Sequence, residues 1–77
     1  MEIKLHGKPN CSFCDLAKNM LTKKGIDFQY LSIGTDLTIE EAKAIAGSDS
    51  PMLPIVVIDD VYIGGQKELH RFLRNNV

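Results

Sequence analysis

The sequence predicts an α/β domain with element order βαβαββα, in which helices cover both faces of a four-stranded mixed sheet. Three observations point there. Short β-type runs stand at 2–6, 27–33, 55–58 and 61–63, separated by stretches with the 3.6-residue period of amphipathic helices. The first two runs flank a helical stretch, which makes a βαβ unit with parallel strands and a right-handed crossover. The last two are joined by only Asp59-Asp60, which makes an antiparallel hairpin.

The totals set the bounds. A chain of 77 residues is one domain, 1–77, with a modest core. With 44% hydrophobic and 25% charged residues, it has the composition of an ordinary soluble globular protein. A net charge of −1 gives no electrostatic case for nucleic acid, a membrane surface or an acidic partner. No apolar run approaches the ~20 residues of a membrane span, and Met1-Glu2-Ile3-Lys4-Leu5 lacks the apolar stretch of a signal peptide. The first strand is expected to start almost at the first residue, and no targeting extension is expected. The expectation is a cytoplasmic monomer. In that reducing compartment two closely spaced cysteines are catalytic more often than structural.

Taken in order, Glu2 to His6 alternates, with Ile3 and Leu5 on one face. His6 reads as a half-exposed imidazole at the strand end. From Ser12 to Lys24, Phe13, Leu16, Ala17, Met20 and Leu21 follow one helical face, and Gly25 after Lys23-Lys24 is a C-terminal stop. That stripe reads as core. Phe13 has two readings, core or an apolar surface offered to a substrate. Asp27 to Ile33 alternates again and Gly34-Thr35-Asp36 breaks it. Thr38 with Glu41 forms a capping box for a thin, peripheral helix that ends at Gly47. Ser48 to Pro54 is loop, Ile55 to Ile58 and Val61 to Ile63 the hairpin, and Gln66 to Asn76 a final helix with Leu69, Phe72 and Leu73 inward.

The chemistry concentrates at Lys8-Pro9-Asn10-Cys11-Ser12-Phe13-Cys14. A thiol attacks only as thiolate, and a free cysteine ionises near pKa ~8.5, so a reactive one needs positive potential nearby. Cys11 falls at the N-cap of the first helix, where unpaired N–H groups and the positive dipole end converge, and Lys8 adds a charge. Cys14 lies one turn further in, less exposed. That spacing suits an attacking Cys11 and a resolving Cys14, which closes an internal disulfide. A zinc site from His6, Cys11, Cys14 and His70 is the competing reading; its spacing matches no common zinc pattern. A permanent Cys11–Cys14 disulfide would close too short a loop to stabilise much.

Lys8, Cys11-Ser12-Phe13-Cys14, the Leu53-Pro54 step before a strand, and Gly64-Gly65 before the last helix together resemble a glutaredoxin of the thioredoxin superfamily. The resemblance covers essentially the whole chain. It implies a sheet in the order 2-1-3-4, glutathione as reductant, no metal, and Cys11 and Cys14 as nucleophile and resolving thiol. Pro54 is then the family's cis-proline, turning the Leu53 backbone outward to pair with glutathione as an added strand. The N–H groups of Gly65, Gln66 and Lys67 at the helix start would receive the γ-glutamyl carboxylate. Lys8 and Lys43 would hold the glycyl carboxylate, with Phe13 alongside; Lys43 also reads simply as a solvated helix lysine.

Some residues depart from the family pattern. Met52-Leu53-Pro54 replaces the usual Thr-Val-Pro, and Glu68 stands where a shorter Asp is common. The family suggests ribonucleotide reductase as a protein partner. Two alternatives come with it. One is a glutaredoxin-like donor reduced by thioredoxin reductase. The other is a carrier in which Cys11 from two chains and two glutathiones ligate a [2Fe–2S] cluster, a role that Ser12 after the first cysteine fits. His70 receives no function.

Overall fold

Ile3 and Leu5 of the first strand, β1 (Ile3–Gly7), point to one side of the sheet and are essentially inaccessible to solvent. In the computed structural model, which describes residues 1–76, β1 is followed by α1 (Ser12–Lys23), β2 (Gln29–Ser32), α2 (Ile39–Ala46), β3 (Ile55–Ile58), β4 (Val61–Gly64) and α3 (Gln66–Asn76). The sheet order is β2-β1-β3-β4, as the resemblance implies. β1 pairs parallel with β2, Leu5 opposite Tyr30, and antiparallel with β3, Leu5 opposite Val56 and His6 opposite Ile55.

Alternation of side chains sorts the molecule into two layers. The odd residues of β1 join Val56 and Ile58 of β3 against Ala17 and Leu21 of α1 and Leu69 and Leu73 of α3, forming the main core. Fully burying each Val, Ile or Leu side chain among them contributes about 1.5–3 kcal/mol. On the other face α2 packs on β3 and β4 and buries Ala42. Its capping box is complete: Thr38 Oγ1 accepts from Glu41 N at 3.0 Å, and Glu41 Oε1 accepts from Thr38 N at 2.9 Å. The hairpin turn holds Asp59 and Asp60 at φ 50° and 66°, the left-handed pair that matches the twist of two-residue hairpins.

Three expectations change. β2 is shorter than 27–33, because Phe28 already packs into the core and Ile33 bridges to Leu37. His6 is buried, not half-exposed: it faces the α2 layer, is 3% accessible, and its Nδ1 lies 2.9 Å from the Ile55 carbonyl. Leu16 is not core; half of its surface is exposed, because the α1 stripe narrows to Cys14, Ala17 and Leu21 where β1 lies beneath it.

The two leucines of α1 therefore separate in energy. Leu21→Ala should cost about 2–5 kcal/mol of unfolding free energy, and Leu16→Ala under about 0.5 kcal/mol, read from urea midpoints.

Candidate active site

The turn into α1 is built to present a sulfur. Asn10 adopts φ 59°, a conformation asparagine tolerates better than most residues, and delivers Cys11 to the N-cap in extended geometry. There the Cys11 Sγ accepts the Cys14 backbone N–H at 3.2 Å, doing for this helix what a Ser or Asp side chain usually does. Asp15 N donates to the Cys11 carbonyl at 3.1 Å, completing the first turn. Cys11 is partly accessible and Cys14 fully buried, the asymmetry expected of an outer and an inner thiol. Burial pushes the Cys14 thiol up, and its hydrogen bond to Cys11 adds to that; a backbone hydrogen bond from Lys8 and one from the Tyr30 hydroxyl act in the opposite sense.

Gly7, the last residue of β1, sits directly below. A Cβ there would come within 2.5 Å of both Cys14 Sγ and Tyr30 Oη, so only glycine lets the two atoms meet over the strand. Neither Gly7 nor Tyr30 was singled out in the sequence. The available signal was the alternation itself: after Ile3 and Leu5, the next inward position of β1 has no side chain, directly beneath the Cys-x-x-Cys turn.

A cavity of about 410 Å³ opens beside this turn, lined by Phe13, Met52, Leu53, Gly65, Gln66, Lys67 and Glu68. It falls within the range of small-ligand sites, roughly 300–1,000 Å³. Phe13 is 54% exposed and lines it, so it is not a core residue. The Leu53–Pro54 peptide is cis, and Pro54 itself is buried behind the cavity wall. So Phe13, Leu53, Gly65, Gln66 and Lys67 come together as anticipated. Lys8 is exposed in the loop before Cys11, outside the lining of this cavity.

Lys43 lies away from this cavity, and the Gly65 N–H has a partner within the chain. Lys43 lines a separate depression with Gly47 and Asp49, and its ammonium lies 3.8 Å from Glu40 Oε1, one turn back on α2. At α3 the Gly65 N–H is already taken. Glu68 Oε1 accepts it at 2.8 Å, because the longer side chain of Glu reaches back to cap its own helix. Gly64 is at φ 127° against that side chain, so this glycine, not Gly65, is the one the conformation requires. Gln66 and Lys67, whose N–H groups have no acceptor within the helix, line the cavity at this end of α3. His6, under α2, is not gathered with the cysteines, and among the described residues no cluster of three or more His, Cys, Asp or Glu side chains forms. Nor, among them, is any helix long and apolar enough to cross a membrane.

A helix-capping thiol with a buried second thiol one turn on, in a βαβαββα sheet of order 2-1-3-4, defines a thiol–disulfide oxidoreductase of thioredoxin-like fold. The glutaredoxin family model matches residues 3–63, and the chain belongs to that family. It is 32% identical to Glutaredoxin 3 of Escherichia coli K12 over 88% of this chain and 81% of that protein. To the probable glutaredoxin ssr2061 of Synechocystis it is 33% identical, over 90% of this chain and 78% of that protein. A 36% identical stretch lies in the hybrid peroxiredoxin hyPrx5 of Haemophilus influenzae, covering 91% of this chain but only 28% of that protein. In three dimensions it superposes on oxidised E. coli glutaredoxin with TM-score 0.79 at 24% identity, covering 100% of this chain and 98% of that one. It superposes on a buckwheat glutaredoxin–glutathione complex with TM-score 0.77 at 19% identity, over 95% and 68%.

The Glu68 cap is testable by pH. Its hydrogen bond from Gly65, aided by Arg71 and Lys67, holds the Glu68 carboxyl below its ordinary value of 4.5. The stability it contributes is therefore complete above about pH 4.5 and disappears as pH falls through the lower folded-state value. In thermal melts wild type should exceed Glu68→Ala at neutral pH, and the two curves should converge in acid.

Proposed function

We propose that this chain is a dithiol glutaredoxin that takes electrons from glutathione and delivers them to protein disulfides and to glutathione mixed disulfides. The observation that carries the reading is the cavity between Phe13, Leu53 and the start of α3. It offers the apolar side chains of Phe13, Met52 and Leu53, the backbone beside the cis Leu53–Pro54 bond, and the start of α3, next to the turn that carries Cys11. Those are the elements an extended peptide with a terminal carboxylate needs. The structural neighbour bound to glutathione supports the same ligand.

In this reading Cys11 attacks a substrate disulfide, releasing one sulfur as thiol and holding the other in a mixed disulfide. Cys14 then displaces that second sulfur and closes Cys11–Cys14. Two equivalents of glutathione return the pair to dithiols and leave as glutathione disulfide, so electrons balance. Glutathione mixed disulfides need only Cys11. Lys8, exposed beside Cys11, and Lys67 supply cationic contacts to an anionic ligand. Ribonucleotide reductase is the protein substrate the family suggests, and the relative named as a hybrid peroxiredoxin adds a peroxide-oxidised cysteine protein as a second. A reducing cytoplasm is the setting such chemistry requires.

Glu68 favours a second reading. Its carboxylate occupies the Gly65 N–H that a γ-glutamyl carboxylate would take, and it adds a like charge there. A glutaredoxin-shaped donor reduced by thioredoxin reductase needs no such subsite.

The deciding measurement is the rate at which pre-oxidised protein is reduced by glutathione, set beside the rate with NADPH and thioredoxin reductase. Fast reduction by glutathione is expected; reduction by the reductase alone would overturn the proposed ligand site. The thiol roles are checked separately. Cys14→Ser should abolish dithiol reduction of a protein disulfide while single-thiol removal of glutathione continues near the wild-type rate, and loss of both activities would contradict the assignment.

A further inference from the structure

Beyond the two cysteines, one polar group reaches the inner thiol. Tyr30 lies on β2 opposite Leu5, facing the α1 layer, and its hydroxyl converges with Cys14 Sγ on the bare Cα of Gly7. Its ring is held by the core and by Lys18, whose ammonium stands 4.3 Å from the ring centroid and 3.4 Å from Asp15 Oδ1. The hydroxyl's contact with the Lys8 carbonyl is long, 3.4 Å, and rotation about the C–O bond redirects its single proton from that oxygen to the sulfur.

We infer that Tyr30 is a catalytic residue for the resolving step: its hydroxyl donates a hydrogen bond to Cys14 Sγ as that sulfur becomes an anion. The inference rests on the dithiol reading above. Burial and the neighbouring Cys14 push the Tyr30 phenol up to about 12, so at physiological pH it is a donor and never a base. In the free dithiol, Cys14 is held protonated by burial first, then by its hydrogen bond and charge interaction with Cys11. Once Cys11 enters a mixed disulfide, it carries no charge and accepts no thiol proton. Burial then still opposes ionisation, while the two donors, the Lys8 backbone and Tyr30, remain to favour it. The charged side chains on this side are Asp15 and Lys18 of α1 and, in the loop before Cys11, the exposed Lys8. His6 faces the opposite layer, and α3 turns Leu69 and Leu73 inward.

The step balances as follows. The Cys14 thiol gives its proton to water, and the thiolate forms a bond to Cys11 Sγ as the Cys11–substrate S–S bond breaks. The substrate sulfur leaves with the electron pair and takes up a proton. Tyr30 keeps its proton throughout, shifting it from the Lys8 carbonyl to the developing thiolate.

The test is a stopped-flow reaction of the reduced full chain with dithiobisnitrobenzoate across pH. The first release of nitrothiobenzoate reports attack by Cys11, and the second reports displacement by Cys14. In Tyr30→Phe the midpoint of the second release should rise by about one pH unit, the factor-of-ten loss of thiolate expected from one charge-assisted hydrogen bond. Because a more basic thiolate is a better nucleophile, the net rate should be about three-fold slower at neutral pH and about three-fold faster on the alkaline plateau. That crossover separates a lost donor from a loosened fold, which slows the step at every pH. An unmoved midpoint, or equal slowing of both releases, overturns the inference. If wild type itself shows no second release, the dithiol reading fails and the inference falls with it.

Discussion

The close approach of a helix to a strand at Gly7 governs the site. The Cys-x-x-Cys turn can lie against β1 only because β1 ends on a residue without a side chain, and the space goes to one sulfur and one phenol oxygen. Packing there and reactivity there have the same cause. Close-packed interiors tolerate few voids, so the atom nearest a buried thiol is decided by the backbone beneath it. In this chain that backbone admits a polar atom from β2 to the edge of the core.

Electrostatics follows from the same arrangement. The outer thiol faces a helix N-terminus and partial solvent, and the inner one faces burial, offset by two directed donors. Two chemically identical side chains three residues apart are thereby placed in different surroundings. The start of α3 uses helix physics differently. There the positive end meets its own Glu68, so the chain supplies the anion that elsewhere a ligand would bring.

Element order, sheet order and the cysteine pair were legible in the sequence because each rests on local signals in register: alternation, helical period, a capping box, a two-residue turn. What was not legible depended on the third dimension. Leu16 and Phe13 share the apolar stripe of α1, but β1 lies beneath only the middle of it, so periodicity could not tell rim from core. His6 looked like a strand end and is roofed by α2, whose weak stripe gave no hint of what it covers. Lys43 matched a family position in sequence, yet α2 carries it to a different depression, where Glu40 engages it. Glu68 departs from the family pattern in sequence, while the direction of its reach, back to Gly65, follows only from the geometry of α3.

Tyr30 has a consequence for how the molecule can be watched. The chain contains no tryptophan and two tyrosines, so fluorescence excited beyond the phenylalanine band comes from two rings. One, Tyr62, is exposed on β4 at the far edge of the sheet. The other ends against the inner sulfur. Oxidation of the cysteine pair changes the electronic character of that sulfur beside one chromophore and leaves the other as a constant background. One of the two tyrosine rings thus stands beside the redox pair, where its emission can be followed without any label.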